Sequence, residues 1–203
     1  MVRVVVYDRT CLTKRGALTT PWALGATLFR ATGRFDAARG VTSWDDALAW
    51  LAALPAPVTE LQYWGHGKWG RVFVAEDSLD ATAITTGRLD ALRAQLAPDA
   101  LVWFRTCETL GAAAGIDFAE RLADHLGARV AGHTYIIGFQ QSGLHGLLPG
   151  MRADWSPSEG LAEGSADAPI RAEWSHRGAP RTITCLAKAV PPDWFASRQN
   201  ASR

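Results

Sequence analysis

One histidine and one cysteine each come just after a short apolar stretch of the chain. His66 lies between two glycines, after the run that ends at Trp64, and Cys107 follows a second such run. A thiol with the ordinary pKa of about 8.5 is mostly protonated at neutral pH, so its attack on a carbonyl needs a neighbouring base. An imidazole can accept that proton and later give it to a leaving amine. The two residues therefore have the chemistry of a cysteine hydrolase.

The two side chains can meet only if the runs before them are neighbouring strands. Residues 58–64 and 101–105 are rich in aromatic, aliphatic and β-branched types, which predicts buried strands. In open α/β sheets, ligands bind at the carboxyl ends of the strands. We therefore expect His66 and Cys107 to share one edge of a sheet.

Strand and helix patterns alternate over roughly the first 140 residues. Further strands are predicted over 2–7, 71–74 and 128–131, and helices over 20–30, 43–54, 86–96 and 116–126. Such alternation is typical of an α/β domain with a mostly parallel central sheet and helices on both faces.

The length of 203 residues fits a single domain, which we expect to span residues 1–190. Residues 140–180 are rich in Gly, Pro, Ser and Trp without periodicity, and are predicted to form irregular substrate-binding loops. Residues 181–187 are predicted to form a last strand that returns to the sheet. The polar stretch 191–203 is predicted to be a flexible tail.

Composition excludes several classes of protein. Lys and Arg number 21 and Asp and Glu 20, a net charge of +1, which argues against nucleic acid and acidic membranes as partners. The sequence shows neither a signal peptide nor the roughly 18 apolar residues of a membrane helix. Its three cysteines are odd in number and widely spaced, which predicts a reducing, cytoplasmic setting.

The remaining cysteines and histidines predict no metal site and no cofactor. Cys11 and Cys185 are expected to fill space in the fold, although Cys11 follows the first strand and so lies near the same sheet edge. The histidines outside the first motif lack the spacing of zinc ligands; they are His125, His133, His145 and His176.

The segments around His66 and Cys107 resemble those of caspase-like (clan CD) cysteine peptidases. Residues 61–67, LQYWGHG, are similar to the strand and His-Gly pair of that family, and residues 101–109, LVWFRTCET, to the strand that precedes its nucleophile. The helix and strand that follow are similar to bacterial members. The resemblance covers roughly residues 58–134.

This resemblance implies a caspase-hemoglobinase-like three-layer fold and a cysteine endopeptidase that cleaves a protein or peptide. Cys107 would be the nucleophile and His66 the general base and then acid. The backbone N–H groups of Gly67 and Cys107 would form the oxyanion hole. Two alternatives remain open: a catalytically silent caspase-like module that binds a protein partner, and another cysteine hydrolase or acyltransferase.

Substrate preference is expected to depend on the residues next to the motifs. By the resemblance, Arg105, two residues before the nucleophile, lines the first specificity pocket, where a guanidinium would favour a substrate carboxylate. Cleavage after an acidic residue is the prediction, unless Glu108 pairs with Arg105 and cancels its charge. Trp64 is expected to wall the site, and Trp155 to anchor a loop or contact substrate.

Overall fold

The computed structural model describes residues 1–12 and 17–196. The strands are β1 (Val2–Asp8), β2 (Ala37–Val41), β3 (Val58–Trp64), β4 (His66–Lys68), β5 (Arg71–Val74), β6 (Asp77–Leu79), β7 (Leu96–Arg105), β8 (Arg129–His133), β9 (Gln140–Gln141), β10 (Leu144–Leu147), β11 (Leu161–Gly164), β12 (Pro169–Ala172), β13 (Ile183–Thr184) and β14 (Phe195–Ala196). The helices are α1 (Thr19–Ala31), α2 (Trp44–Ala52), α3 (Ala81–Thr85), α4 (Asp90–Gln95) and α5 (Ala112–Leu126), with a 3₁₀ turn at Pro192–Trp194.

Within the described residues, seven strands form one sheet in the order β14-β10-β8-β7-β3-β1-β2. The strands from β2 to β8 in this order run parallel, whereas β10 runs antiparallel to β8. The prediction of an α/β fold with a mostly parallel sheet is therefore confirmed. β3 and β7 are neighbours, and their last residues, Trp64 and Arg105, lie opposite each other.

Helices cover both faces of this sheet because alternate side chains of each strand point to opposite sides. On one face, Val102 and Phe104 belong to the main core, together with buried residues of α2 to α5. On the other face, Val5 and Trp64 pack under Phe29 of α1. The result is three layers. No helix in the described part of the chain has the length and apolar character needed to cross a bilayer.

Local signals fix several element ends as predicted. Ser43 begins α2 because its hydroxyl accepts a hydrogen bond from the Asp46 N–H at 3.0 Å. Gly127 ends α5 in the left-handed conformation, at φ +60°. The helix predicted over 86–96 is shorter in the structure: only α4 falls within that range, and a separate helix, α3, precedes it. Asp80 starts α3 early by capping the Thr82 N–H at 2.8 Å, and α3 ends just before Gly87, which has φ +74°.

The region predicted to be irregular, 140–180, contains regular structure. β10 lies inside it and joins the central sheet as a fully buried strand. β11 and β12 form a separate antiparallel hairpin. The prediction failed here because β10 is a short, glycine-containing strand whose order depends on pairing with β8 rather than on its own pattern.

The segment 183–188 does not join the central sheet, so the predicted final strand over 181–187 is wrong. Only β13 is regular, and it pairs with β9 outside the central sheet. Two arginine side chains hold the segment by its carbonyl oxygens: Arg34 Nε donates to Lys188 O at 2.9 Å, and Arg105 Nη2 to Cys185 O at 2.8 Å. We call residues 183–188 the strap.

The described chain ends in an ordered strand rather than in a tail that begins at 191. β14 pairs with β10 at the edge of the sheet, and both Phe195 and Ala196 are buried. The Phe195 ring lies on Gly146, where a Cβ atom would come within 2.4 Å of it. The predicted tail is therefore wrong as far as Ala196, and residues 197–203 lie outside the described part.

Replacing Phe195 by Ala tests this correction. Because the ring is buried against the sheet, we expect the free energy of unfolding to fall by about 3 kcal/mol or more, as for other buried aromatic truncations. Urea unfolding monitored by circular dichroism measures it. Ile170→Ala is the control, since that side chain is 66% exposed and should change stability by at most about 0.5 kcal/mol. Equal, small effects of both variants would mean that β14 does not stabilise the sheet.

Candidate active site

A cavity of about 320 Å³ lies where β3 and β7 end. Its walls come from α1, from the ends of these two strands, from residues 137–141 and from the strap. His66 and Cys107 both line it. The structure therefore brings to one cavity the two residues that were singled out from separate segments of the chain. Its position is the one expected for a ligand site in an open α/β sheet.

Cys107 is partly buried, and this burial favours the protonated thiol. Sγ lies 3.9 Å from the carbonyl oxygen of Ile137. Burial raises the pKa of the Cys107 thiol to about 11, because the thiolate would lose the stabilisation of water. The cavity thus holds a thiol rather than a preformed thiolate.

His66 contacts a different cysteine. Its Nε2 lies 3.4 Å from Sγ of Cys11, and its ring meets the edge of Trp22 at 5.5 Å between centroids. Cys11 follows β1, which is the neighbour of β3 in the sheet, so its position after a strand was the available signal. The expectation that Cys11 only fills space missed this contact with the imidazole.

The segment that carries His66 is bonded directly to the turn that carries Cys107. Gly70 donates its backbone N–H to Thr109 O at 2.8 Å, and Trp69 donates to Glu108 O at 3.1 Å. Gly67 packs so closely on this turn that a Cβ atom there would lie 2.0 Å from Thr109 Oγ1. The glycine after the histidine is therefore required by the close approach of the two segments.

The turn 106–109 is itself held in a fixed shape. The hydroxyls of Thr106 and Thr109 are 2.6 Å apart, and the Glu108 N–H donates to Tyr135 O at 2.9 Å. Glu108 has φ +32°, a strained value for a residue with a side chain. Gly67 and Cys107, the predicted oxyanion donors, belong to segments that these contacts bring side by side.

Arg105 lines the cavity, but most of its donors are already used. Nε and Nη2 donate to Gln141 Oε1 at 3.0 and 2.8 Å, Nη2 also donates to Cys185 O at 2.8 Å, and Nη1 donates to Ala187 O at 3.3 Å. The guanidinium also lies over the Trp103 ring, 4.7 Å from its centroid. A bidentate pair with a substrate carboxylate, as the sequence suggested, would have to displace these bonds.

The charge of Arg105 is nevertheless not neutralised by a bonded carboxylate. In the described residues no acidic group forms an ion pair with it, and Glu60 instead pairs with Arg34. Burial lowers the pKa of Arg105 to about 10, so the group is still cationic at neutral pH. The cavity therefore has one buried positive charge in its wall.

Glu108 is placed away from both of its predicted contacts. It is not among the residues that line the cavity, and it makes no ion pair with Arg105 among the described residues. Its side chain is buried, and Oε2 has no hydrogen-bond partner in the described part of the chain. Burial raises the pKa of the Glu108 carboxyl to about 7, an effect that the nearby Lys68 opposes.

The two tryptophans have different surroundings. Trp64 lines the cavity, as expected, and donates its indole N–H to Gln62 Oε1 at 3.0 Å. Trp155 lies in the main core, where it donates to Leu110 O at 3.1 Å and stacks on His145 at 4.6 Å. Its position fits the role of a loop anchor rather than a substrate contact.

Metal binding was not predicted, and the described residues contain no group of three or more His, Cys, Asp or Glu side chains arranged to hold an ion. Residues that sequence reasoning assigned no role do line the cavity, namely Gln141 and Cys185. Neither carried a sequence signal, because both reach the cavity through the pairing of β9 with β13.

Gly67→Ala tests whether the close contact between the two segments is needed. The new methyl group would overlap Thr109 Oγ1, so we expect a loss of about 1–3 kcal/mol in the free energy of unfolding, measured with urea. The control is Gly138→Ala, because Gly138 also lines the cavity but has open space around its Cβ position. Similar stabilities of the two variants would contradict the contact.

The ionisation of Cys107 can be followed by alkylation. With a thiol pKa of about 11, the rate of reaction with iodoacetamide at Cys107 should rise about tenfold per pH unit from pH 6 to 9 without a plateau. Mass spectrometry of peptides assigns the modified cysteine. In urea the rate of alkylation of the same thiol should level off near pH 9, because its pKa returns to about 8.5. A plateau below pH 8 in the folded protein would show a preformed thiolate instead.

Comparison with known proteins identifies the family to which this chain belongs. The profile described as Domain of unknown function (DUF4347) matches residues 38–155, which include β3, β7, His66 and Cys107. A search of curated proteins finds no match to the chain. Because the matched segment is more than half of the 203 residues, the chain belongs to the family described as Domain of unknown function (DUF4347).

Proposed function

We propose that this chain is a caspase-like cysteine endopeptidase in which Cys107 is the nucleophile and His66 the general base and acid. One observation carries the proposal: the imidazole and the thiol line the same cavity, at the carboxyl ends of two adjacent parallel strands. The three-layer arrangement of the sheet and its helices supports a caspase-hemoglobinase-like fold. The substrate is a protein or peptide, and no cofactor takes part.

The proposed reaction begins with a neutral thiol. As Cys107 Sγ attacks the scissile carbonyl carbon, its proton passes to His66, and the negative charge that develops on the carbonyl oxygen is held by the Gly67 and Cys107 N–H groups. His66 then protonates the leaving amine as the C–N bond breaks. In the second half, His66 takes a proton from a water molecule that attacks the acyl carbon. The C–S bond of the acyl-enzyme then breaks, and His66 gives that proton to the Cys107 sulfur, which regenerates the thiol.

The reaction requires the His66 ring to exchange a proton with Cys107, which lines the same cavity. The ring Nε2 also lies within hydrogen-bond distance of Cys11 Sγ, at 3.4 Å. Rotation of the ring between the two sulfur atoms is fast compared with typical turnover, so the contact with Cys11 is compatible with catalysis.

The buried charge of Arg105 supports cleavage after an acidic residue. Because its donors are occupied by Gln141 and the strap, the guanidinium attracts a carboxylate through space rather than by a bidentate pair. Such attraction is stronger inside a protein than in water, since the effective dielectric constant is lower.

A second candidate is the catalytically silent caspase-like module that binds a protein partner. The raised pKa of Cys107 favours it, because a protonated thiol is a poor nucleophile. A third, another cysteine hydrolase or acyltransferase, would use the same two side chains on a different acyl substrate.

Labelling with peptidyl acyloxymethyl ketones separates these functions. We expect a probe ending in Asp to modify wild-type protein at Cys107, at least tenfold faster than the Asn or Lys probes, because of the Arg105 charge. Cys107→Ala and His66→Ala should abolish labelling. Peptide mapping by mass spectrometry locates the adduct.

His176→Ala is the matched control for the histidine variant, because that side chain is exposed and does not line the cavity. It should be labelled at the wild-type rate. Absence of labelling of the wild type by every probe, or labelling that persists in Cys107→Ala, would overturn the endopeptidase and favour the binding module.

A further inference from the structure

The mouth of the cavity carries exposed apolar side chains. Leu28 of α1 is 53% exposed, Phe139 is 63% exposed and Leu186 of the strap is 57% exposed, and all three line the cavity. Leu24, one helical turn before Leu28, is 66% exposed. We call Leu28, Phe139 and Leu186 the apolar rim. Clustered exposed apolar residues around a concave site are typical of surfaces that bind something.

Polar groups lie deeper in the same cavity. His66, Arg105, Cys107 and Gln141 line it, and no aspartate or glutamate does so among the described residues. The site therefore combines a single cationic group with apolar walls. In ligand sites of this composition the polar groups fix orientation, and the apolar surface supplies most of the affinity.

The two parts of the cavity specify different parts of a substrate. A side chain that lies near Arg105 is favoured if it is anionic, because the guanidinium is a buried positive charge with no carboxylate paired to it among the described residues. Backbone and side chains on either side of that residue would pass over the apolar rim. Leucine-like side chains there would cover surface that is exposed in the free protein.

We propose that the apolar rim is a specificity site for apolar residues that flank the cleaved acidic residue. This inference rests on the proposed peptidase function and names its substrate class: a peptide segment in which one aspartate or glutamate lies between aliphatic or aromatic side chains. The rim contacts side chains that flank the cleaved residue and not the carbonyl group that reacts, so we expect it to bind substrate and transition state equally and to act on KM rather than on kcat.

Two internally quenched peptides test it, both with a central Asp. One has leucines on each side of the Asp, the other serines. We expect kcat/KM to be about tenfold higher for the leucine peptide, through a lower KM, which corresponds to about 1.4 kcal/mol. Cleavage is confirmed at the Asp by mass spectrometry.

Variants of the rim connect that preference to the structure. Leu186→Ser and Phe139→Ser should each reduce the leucine-to-serine ratio of kcat/KM from about ten to about two. Ile170→Ser is the matched control, because Ile170 is 66% exposed but lies on β12 and does not line the cavity. It should leave the ratio at about ten.

The outcomes separate the inference from the function on which it rests. Equal cleavage of the two peptides by the wild type overturns the specificity role of the apolar rim but still supports the peptidase function. An equal loss on both peptides in Leu186→Ser, with an unchanged ratio, shows a structural role and also overturns it. If neither peptide is cleaved in a reaction that depends on Cys107, both the specificity role of the apolar rim and the proposed peptidase function are overturned.

Discussion

The candidate site depends on one contact, between the turn that contains Cys107 and the antiparallel hairpin of β4 and β5, which begins at His66. Backbone hydrogen bonds from Trp69 and Gly70 join the two, and Gly67 lets them approach to van der Waals distance. The parallel register of β3 and β7 makes both strands end at the same edge of the sheet, with Trp64 opposite Arg105. Sheet register and the hairpin contact together place an imidazole and a thiol around one cavity.

Arg105 shows how one side chain can serve the fold and the site together. Its guanidinium donates to Gln141 and to the carbonyls of the strap, so it holds the wall that carries Cys185 and Leu186. The same group contributes the positive charge of the cavity. A buried guanidinium of this kind is stabilised because most of its donors have partners.

Local sequence signals predicted the parts of the fold that local forces determine. The strands that end at Trp64 and Arg105, the Ser43 cap and the Gly127 stop all follow from residues a few positions apart. The sheet edge shared by His66 and Cys107 followed from the order of strands. The strap, β10 and the contact of Cys11 with the imidazole did not, because each depends on pairing between distant segments that no periodicity records.

The edge of the sheet has a consequence for self-association. β14 covers the outer side of β10 with only two residues, and β10 is a short strand whose four residues are all buried. An uncovered strand of this kind presents free backbone donors and acceptors to any other extended chain. Pairing with the small terminal strand therefore occupies part of the edge of β10, a structural role separate from the candidate site.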